Sequence, residues 1–346
     1  MKPTWTARLI AAGLCASLVF AAGCGSDESS GGGKAEKGQI SKVSMVSSVW
    51  VGTAPFVIAH AEGLDRDNGI DLDIKTIEEF KDITSALGSG RADVGYSVGP
   101  GQALTMRQAE IPIKIIMVGD VSVGGDQILT GNDDIQSAED LKGRSVGIET
   151  ATTGYPMLVH ALREAGLSLD DIKKVELTAS QAAVALQTDR VDAAYTFEPY
   201  VSQARKEGFR TVYKAGDEPG IISDLLVASE DFLDKEPDNA VAVLKTWQAG
   251  LDYIRERPKK AYKVVADELG FPPKEVSTFF DPDVLEFYDI PAAAEYLETE
   301  FSNLLPTFVS VVNDTPDAPR DLSDEDAQAT VDSGPLQEAA SLQSGE

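Results

Sequence analysis

From Lys42 onward, apolar and polar positions follow an order that the chain runs through twice. "KVSMVSSVW", with Val43, Met45 and Val49 apolar, predicts a buried strand. "TAPFVIAHAEGL" predicts a helix with Thr53 as N-cap, Pro55 in the first turn and Gly63 at the stop. "IDLDIKTI" alternates with the period of a strand. The short helix "DITSALGSG", the strand "ADVGYS", the helix "GQALTMRQAE" and the apolar strand "IPIKIIMVGD" follow. This β-α-β-α-β-α-β order predicts a parallel sheet covered by helices.

The order then restarts. "SAEDLKG" and "RSVGIE" predict a short acidic helix and a strand, and "TTGYPMLVHALREAGL" a helix ending at Gly166. "KKVEL", "SQAAVALQTDR", "VDAAYT" and "EPYVSQARKEG" continue as strand, helix, strand and helix. The match is literal in places: "LGSGRADVGYSVGP" from Leu87 and "LQTDRVDAAYTFEP" from Leu186 share Leu, Arg, Asp, Tyr and Pro in register, with Ser97 answered by Thr196. Gly99 precedes the first proline and Glu198 the second. Two similar α/β lobes are expected rather than one doubled sheet. "IISDLLVASEDFLDKEPDNAVAVLKTWQAGLDYIRERPKKAYKVVADELG" predicts a strand and long helices that complete the first lobe. Beyond Pro306 the chain turns acidic and loses its pattern, so residues 306–346 are expected as a C-terminal wrap or tail.

Composition narrows the partners. The 346 residues carry 57 Asp and Glu against 30 Lys and Arg, a formal charge of −27. Such a surface repels nucleic-acid phosphates and anionic headgroups, which excludes nucleic acid as a direct partner. At the N-terminus, Lys2 and Arg8 precede an apolar run from Leu9 to Ala22, the length of a signal-peptide core rather than a membrane span. "AAGC" then resembles a bacterial lipobox, which implies cleavage after residue 23 and lipidation (palmitate among the acyl chains) on Cys24. Ala21 departs from the leucine most usual in that motif. Residues 24–39, "CGSDESSGGGKAEKGQ", are Gly/Ser-rich and predict a flexible tether. Cys24 would be the sole mature cysteine, so no intramolecular disulfide is expected.

"VWVGTAPFVIAHAEGL", "SAEDLKGRSVGIETATTGYPMLVHALREAGLS" and "AAVALQTDRVDAAYTFEPYVSQA" resemble the nitrate/sulfonate/taurine and pyrimidine-precursor group of ABC importer substrate-binding proteins, over residues 42 to 300. The resemblance implies the two-lobed type II periplasmic-binding-protein fold of class α/β, with two parallel-rich sheets joined by two crossover strands. Lobe 1 would hold 40–128 and 228–305 and lobe 2 129–227, with crossovers near Ile128–Gly131 and Ile221–Val227. It also implies a monomeric, extracytoplasmic lipoprotein that passes a small solute to a permease with its ATPase subunits.

In open parallel α/β sheets, ligands bind beyond the carboxyl ends of strands, where loops feed helix N-termini. Five loops qualify: Trp50–Pro55, Ser97–Gly101, Val121–Asp126, Glu149–Tyr155 and Thr196–Tyr200. Candidate solute contacts are Trp50, Thr53, Ser97, Gly99, Asp126, Thr152, Thr153, Tyr155, Phe197 and Glu198. The loops hold aromatic rings and carboxylates but no Lys or Arg, which favours a nitrogenous cation or amine-bearing heterocycle. Glu198 has a second role open to it, capping the helix that opens at Pro199. The helix N-termini at "TATTG" and "SVGPG" also bind anions through backbone N–H groups, which keeps a sulfonate or nitrate as the alternative.

"GYSVG" at Gly95–Gly99 matches the nucleophile elbow of a Ser hydrolase, yet His60 and His160 both fall inside predicted helices rather than on a late loop. Two histidines give no recognisable metal spacing, and the histidine- and cysteine-dependent equipment of the pyrimidine synthases is missing. No catalytic residue, metal or cofactor is therefore expected. A sensory or adaptor protein using the same lobes remains an alternative.

Overall fold

The computed structural model of the chain describes residues 40–345 apart from 49, 78–79, 151–152 and 315–318. The expected leader, tether and Cys24 lie outside the described residues, and so does Thr152.

Among the described residues, eleven strands form two sheets. They are β1 (Ser41–Ser47), β2 (Ile70–Thr76), β3 (Val94–Val98), β4 (Ile113–Ser122), β5 (Asp126–Thr130), β6 (Ser145–Ile148), β7 (Lys173–Glu176), β8 (Ala193–Phe197), β9 (Arg210–Lys214), β10 (Ser223–Ser229) and β11 (Leu285–Phe287). The first sheet has the order β11-β4-β10-β3-β1-β2 and the second β7-β6-β8-β5-β9. β1 pairs parallel with β2 and β3, and β6 parallel with β7 and β8. β10 runs antiparallel to β3 and β4, and β5 antiparallel to β8 and β9. Both sheets are therefore mixed, each with a parallel core and an antiparallel returning strand.

The chain changes sheet between β4 and β5, over 123–125, and again between β9 and β10, over 215–222. Residues 128–131, expected to cross, instead lie in or just after β5 of the second sheet. Two glycines, Gly124 and Gly125, sit at the first change.

The repeated aspartates have a structural task. Asp93 accepts from the Ser44 N–H (2.8 Å) and Oγ–H (2.6 Å), which locks the start of β3 to β1. Asp192 does the same for the Ser145 N–H (2.8 Å) and Oγ–H (2.6 Å), between β8 and β6. Each lobe thus sets its strand register with the same Ser–Asp clamp.

Helix Pro237–Glu256 buries Ala240, Leu244, Trp247 and Leu251, one stripe at helical spacing. Gly250 lets it lie against the helix Ala54–Ala61, since a Cβ there would stand 2.0 Å from the Pro55 carbonyl. Trp247 packs on Phe56 (5.2 Å between ring centroids) and Tyr96 (5.0 Å), and its indole N–H donates to the Tyr288 carbonyl at 2.9 Å.

The C-terminal segment is more ordered than its composition predicts. Pro306 lies inside the helix Glu300–Asn313. Val331 bridges Ile115 beside the edge of β4, and the helix Gly334–Ser344 buries Leu336 and Ala339. Acidic charge hid a short apolar stripe, because few contacts suffice to dock a helix on an already folded body.

Candidate functional site

The carboxyl ends of β1, β3, β4, β6 and β8 supply the loops in question. Trp50 opens a single 3-10 turn, Val51–Thr53, that runs into the helix Ala54–Ala61. Thr53 is fully buried, and its Oγ lies 2.8 Å from Ser47 Oγ and 3.3 Å from Ser97 Oγ. Three hydroxyls from the ends of β1 and β3 so form one chain. Ser97 has φ 58°, in the left-handed region that a residue with a Cβ enters at a cost, which is often found at ligand sites. Its repeat partner Thr196 does otherwise, donating to the Ala179 carbonyl at 3.1 Å.

Thr53, Ser97 and Trp50 come from the first sheet's loops, and Phe197, Thr153 and Tyr155 from the second's. Close contacts join the two sets of loops. The rings of Trp50 and Phe197 meet edge to face at 5.7 Å. A Cβ on Gly99 would stand 2.5 Å from the Thr153 methyl, so glycine is what allows this close approach. Gly99 and Glu198, equivalent in the repeat, thus have two different local tasks. Gly99 leaves room for the facing loop. Glu198 accepts from the Ser202 N–H (3.1 Å) and Oγ–H (2.8 Å), capping the helix Tyr200–Lys206. Burial is the largest influence on the Glu198 carboxyl and pushes its pKa up, with the Ser202 bonds opposing. Glu198 also lines a cavity of ≈ 500 Å³ with Gln127, Arg205 and Lys214.

Tyr155 is buried, and Lys174, outside the five loops, places its ammonium 5.6 Å from that ring's centre. Lys174 also lies 3.4 Å from Glu176.

Two residues that sequence reasoning missed dominate the electrostatics. Asp120 in β4 and Asp224 in β10 are directly opposed across an antiparallel pair. They are 1% and 8% exposed, and Asp126, close by on β5, is 4% exposed. Like charges opposed on a sheet repel. Burial, as the largest cause, pushes Asp120 well above the carboxylate range, with the neighbouring Asp224 adding to it. Burial likewise raises Asp224 to about 7 and Asp126 to about 6. Among the described residues no lysine or arginine pairs with any of the three. The repeated tyrosines hold two of them: Tyr96 donates to Asp120 and Tyr195 to Asp126, each at 2.5 Å. The Trp50 indole bonds Asp224. The signal was present in the sequence as a lone aspartate in each of two apolar strands, "IIMVGD" and "IISDLL", a pattern that burial makes costly unless it is used.

Ser97 bonds Thr53 and no histidine among the described residues. His60 is held by Asp65 at 2.8 Å, and His160 faces Glu164 and Glu218. The geometry of a nucleophile and its base is absent there.

A family profile described as NMT1/THI5 like matches residues 50–261. A binding protein of Brucella abortus is 28% identical over 225 residues, which cover 65% of this chain and 63% of that protein. The match thus spans less than two thirds of that relative's length. The taurine-binding periplasmic protein of Escherichia coli is 23% identical over 211 residues, 60% of this chain and 65% of the relative. Among solved structures, the periplasmic aliphatic sulphonate binding protein of Escherichia coli superposes with a TM-score of 0.69 at 20% identity, over 84% of this chain and 97% of that one. At that identity the superposition speaks for the fold, the two-lobed α/β architecture expected above.

Proposed function

The chain belongs to the NMT1/THI5-like family, and on that premise we propose that it is a solute-binding protein of an ABC importer. It captures a small solute between its two sheets and presents the closed form to a permease with its ATPase subunits. The observation that carries this reading is the meeting of Trp50 with Phe197 and of Gly99 with Thr153, loops of different sheets, over a buried polar floor. Capture requires only that the solute favour the closed arrangement. Among the described residues the loops pair no nucleophile with a base, which supports release of the solute unchanged.

For the solute itself, the relatives' names speak for a sulfonate-type anion, the class that the loop chemistry put second to a nitrogenous cation. The Gly101 N–H (Gly99 already donates to Gln102, at 2.8 Å) and the helix opening with Gly154 suit such a group, with Lys174 beside Tyr155. One observation favours the cation: among the described residues no lysine or arginine pairs with the buried Asp120, Asp224 or Asp126. An amine-bearing sulfonate meets both demands.

Affinity measured against pH separates the classes. An amine should bind more tightly as pH rises from 5.5 to 8 and the aspartates ionise; a plain sulfonate should bind more weakly. A solute that the protein converts would overturn the binding role.

The N-terminal sequence supports a lipoprotein anchored through Cys24 on the extracytoplasmic face. No helix among the described residues is long and apolar enough to cross a membrane. Mass spectrometry of the native N-terminus tests the anchor; unmodified Cys24 in a fully soluble protein contradicts it.

A further inference from the structure

Away from the loops already described, His160 and Glu164 project from one face of the helix Gly154–Glu164, four residues apart. Glu218 reaches the same point from the segment that carries the chain from β9 back to β10. His160 Nε2 lies 3.7 Å from Glu164 Oε2 and 3.5 Å from Glu218 Oε2. That nitrogen is buried and has no hydrogen-bond partner, and the imidazole is 18% exposed. One donor atom from each of the three residues lies within 4.8 Å of the other two.

These distances are too long for good hydrogen bonds. They resemble the spacing between neighbouring ligands of a tetrahedral zinc ion, about 3.3–3.4 Å for bonds of roughly 2.0–2.1 Å. The other histidine of the molecule provides the contrast. His60, Asp65 and Asp71 also lie close together, but there His60 Nδ1 closes directly on Asp65 Oδ2 at 2.8 Å and Arg66 pairs with Asp65 and Asp71, so the donor atoms already have partners. Around His160 the neighbouring charges are acidic: Glu164, Glu218 and Asp217 all act on Tyr213 beside it. The Tyr213 hydroxyl donates to Glu164 Oε2 at 3.1 Å, an outer bond of the kind that orients a metal-binding carboxylate.

We propose that His160, Glu164 and Glu218 form a site for a divalent transition metal of the zinc class, with a remaining position open to water. The ion ties a helix of the second sheet to the segment that returns the chain to the first, and so braces one of the two connections on which the sheets move.

The test uses the full chain, stripped of metal with a chelator and titrated with Zn²⁺ by calorimetry, with Co²⁺ as a visible-absorption probe. One equivalent should bind, raise the melting temperature and, with Co²⁺, give the d–d bands of a four-coordinate ion. His160→Ala and Glu218→Gln should each weaken binding at least tenfold, while His60→Ala should leave it unchanged. Acidification should weaken binding, because imidazole coordinates only when neutral. Glu218→Gln changes a partly exposed turn residue, so it stands as the control if His160→Ala misfolds. Absence of a stoichiometric ion, or equal binding by both variants, overturns the site.

Discussion

At the residue scale the costliest feature is the buried trio Asp120, Asp224 and Asp126. With pKa values of about 7 for Asp224 and about 6 for Asp126, the folded protein holds protons that the unfolded chain releases near pH 4. Stability of the solute-free protein should therefore fall as pH rises from about 4 to 7. A drop in melting temperature across that range, flattened in Asp224→Asn, is the expected result; a rise would contradict the burial argument. Glu198 behaves differently. Its carboxylate is spent on Ser202, so Glu198→Ala should cost about 0.5–2 kcal/mol in a denaturant titration, the usual range for a lost cap. Solute affinity should stay within about twofold. A tenfold loss would instead place Glu198 against the solute.

Among the elements, the loop of Gly99 meets the facing loop at Thr153. Its backbone is extended (φ −73°, ψ 156°), which any residue adopts, so Gly99→Val should fold normally. The added methyls meet Thr153, and the expected outcome is at least a tenfold loss of affinity with little change in melting temperature. The element order of both lobes was legible because period-two and period-3.6 patterns and glycine stops are local signals. The sheet change at 123–125 was not, since Val121–Asp126 reads only as a loop after a strand, and no local signal tells that the next strand, β5, joins the other sheet. The helix Gly334–Ser344 escaped notice for a related reason: its docking rests on few apolar residues, among them Leu336, in an acidic context. Leu336→Ala should cost about 2–5 kcal/mol, the range for truncating a buried leucine, against nothing for a loose tail.

For the whole molecule, the repeat in the sequence marks the paired Ser–Asp clamps and the paired tyrosines, and these are what the two halves share. The halves differ at Ser97 against Thr196 and at Gly99 against Glu198, at the carboxyl ends of β3 and β8. Asp120 and Asp224 each stand out as a lone aspartate in an apolar strand, but their opposition across β4 and β10 joins positions 104 residues apart (224 − 120), which no local pattern reports. The central claim is that a small solute is held between the two sheets. It is tested most directly by calorimetric titration of wild type, Trp50→Ala and Thr53→Ala with an alkanesulfonate, an aminosulfonate and an alkylammonium ion. One of these should bind wild type with one-to-one stoichiometry, and at 100-fold its Kd should stabilise the protein by about 2.7 kcal/mol. Both variants should lose at least tenfold in affinity. If none of the three binds, or if the variants bind as wild type does, the solute does not lie between these loops.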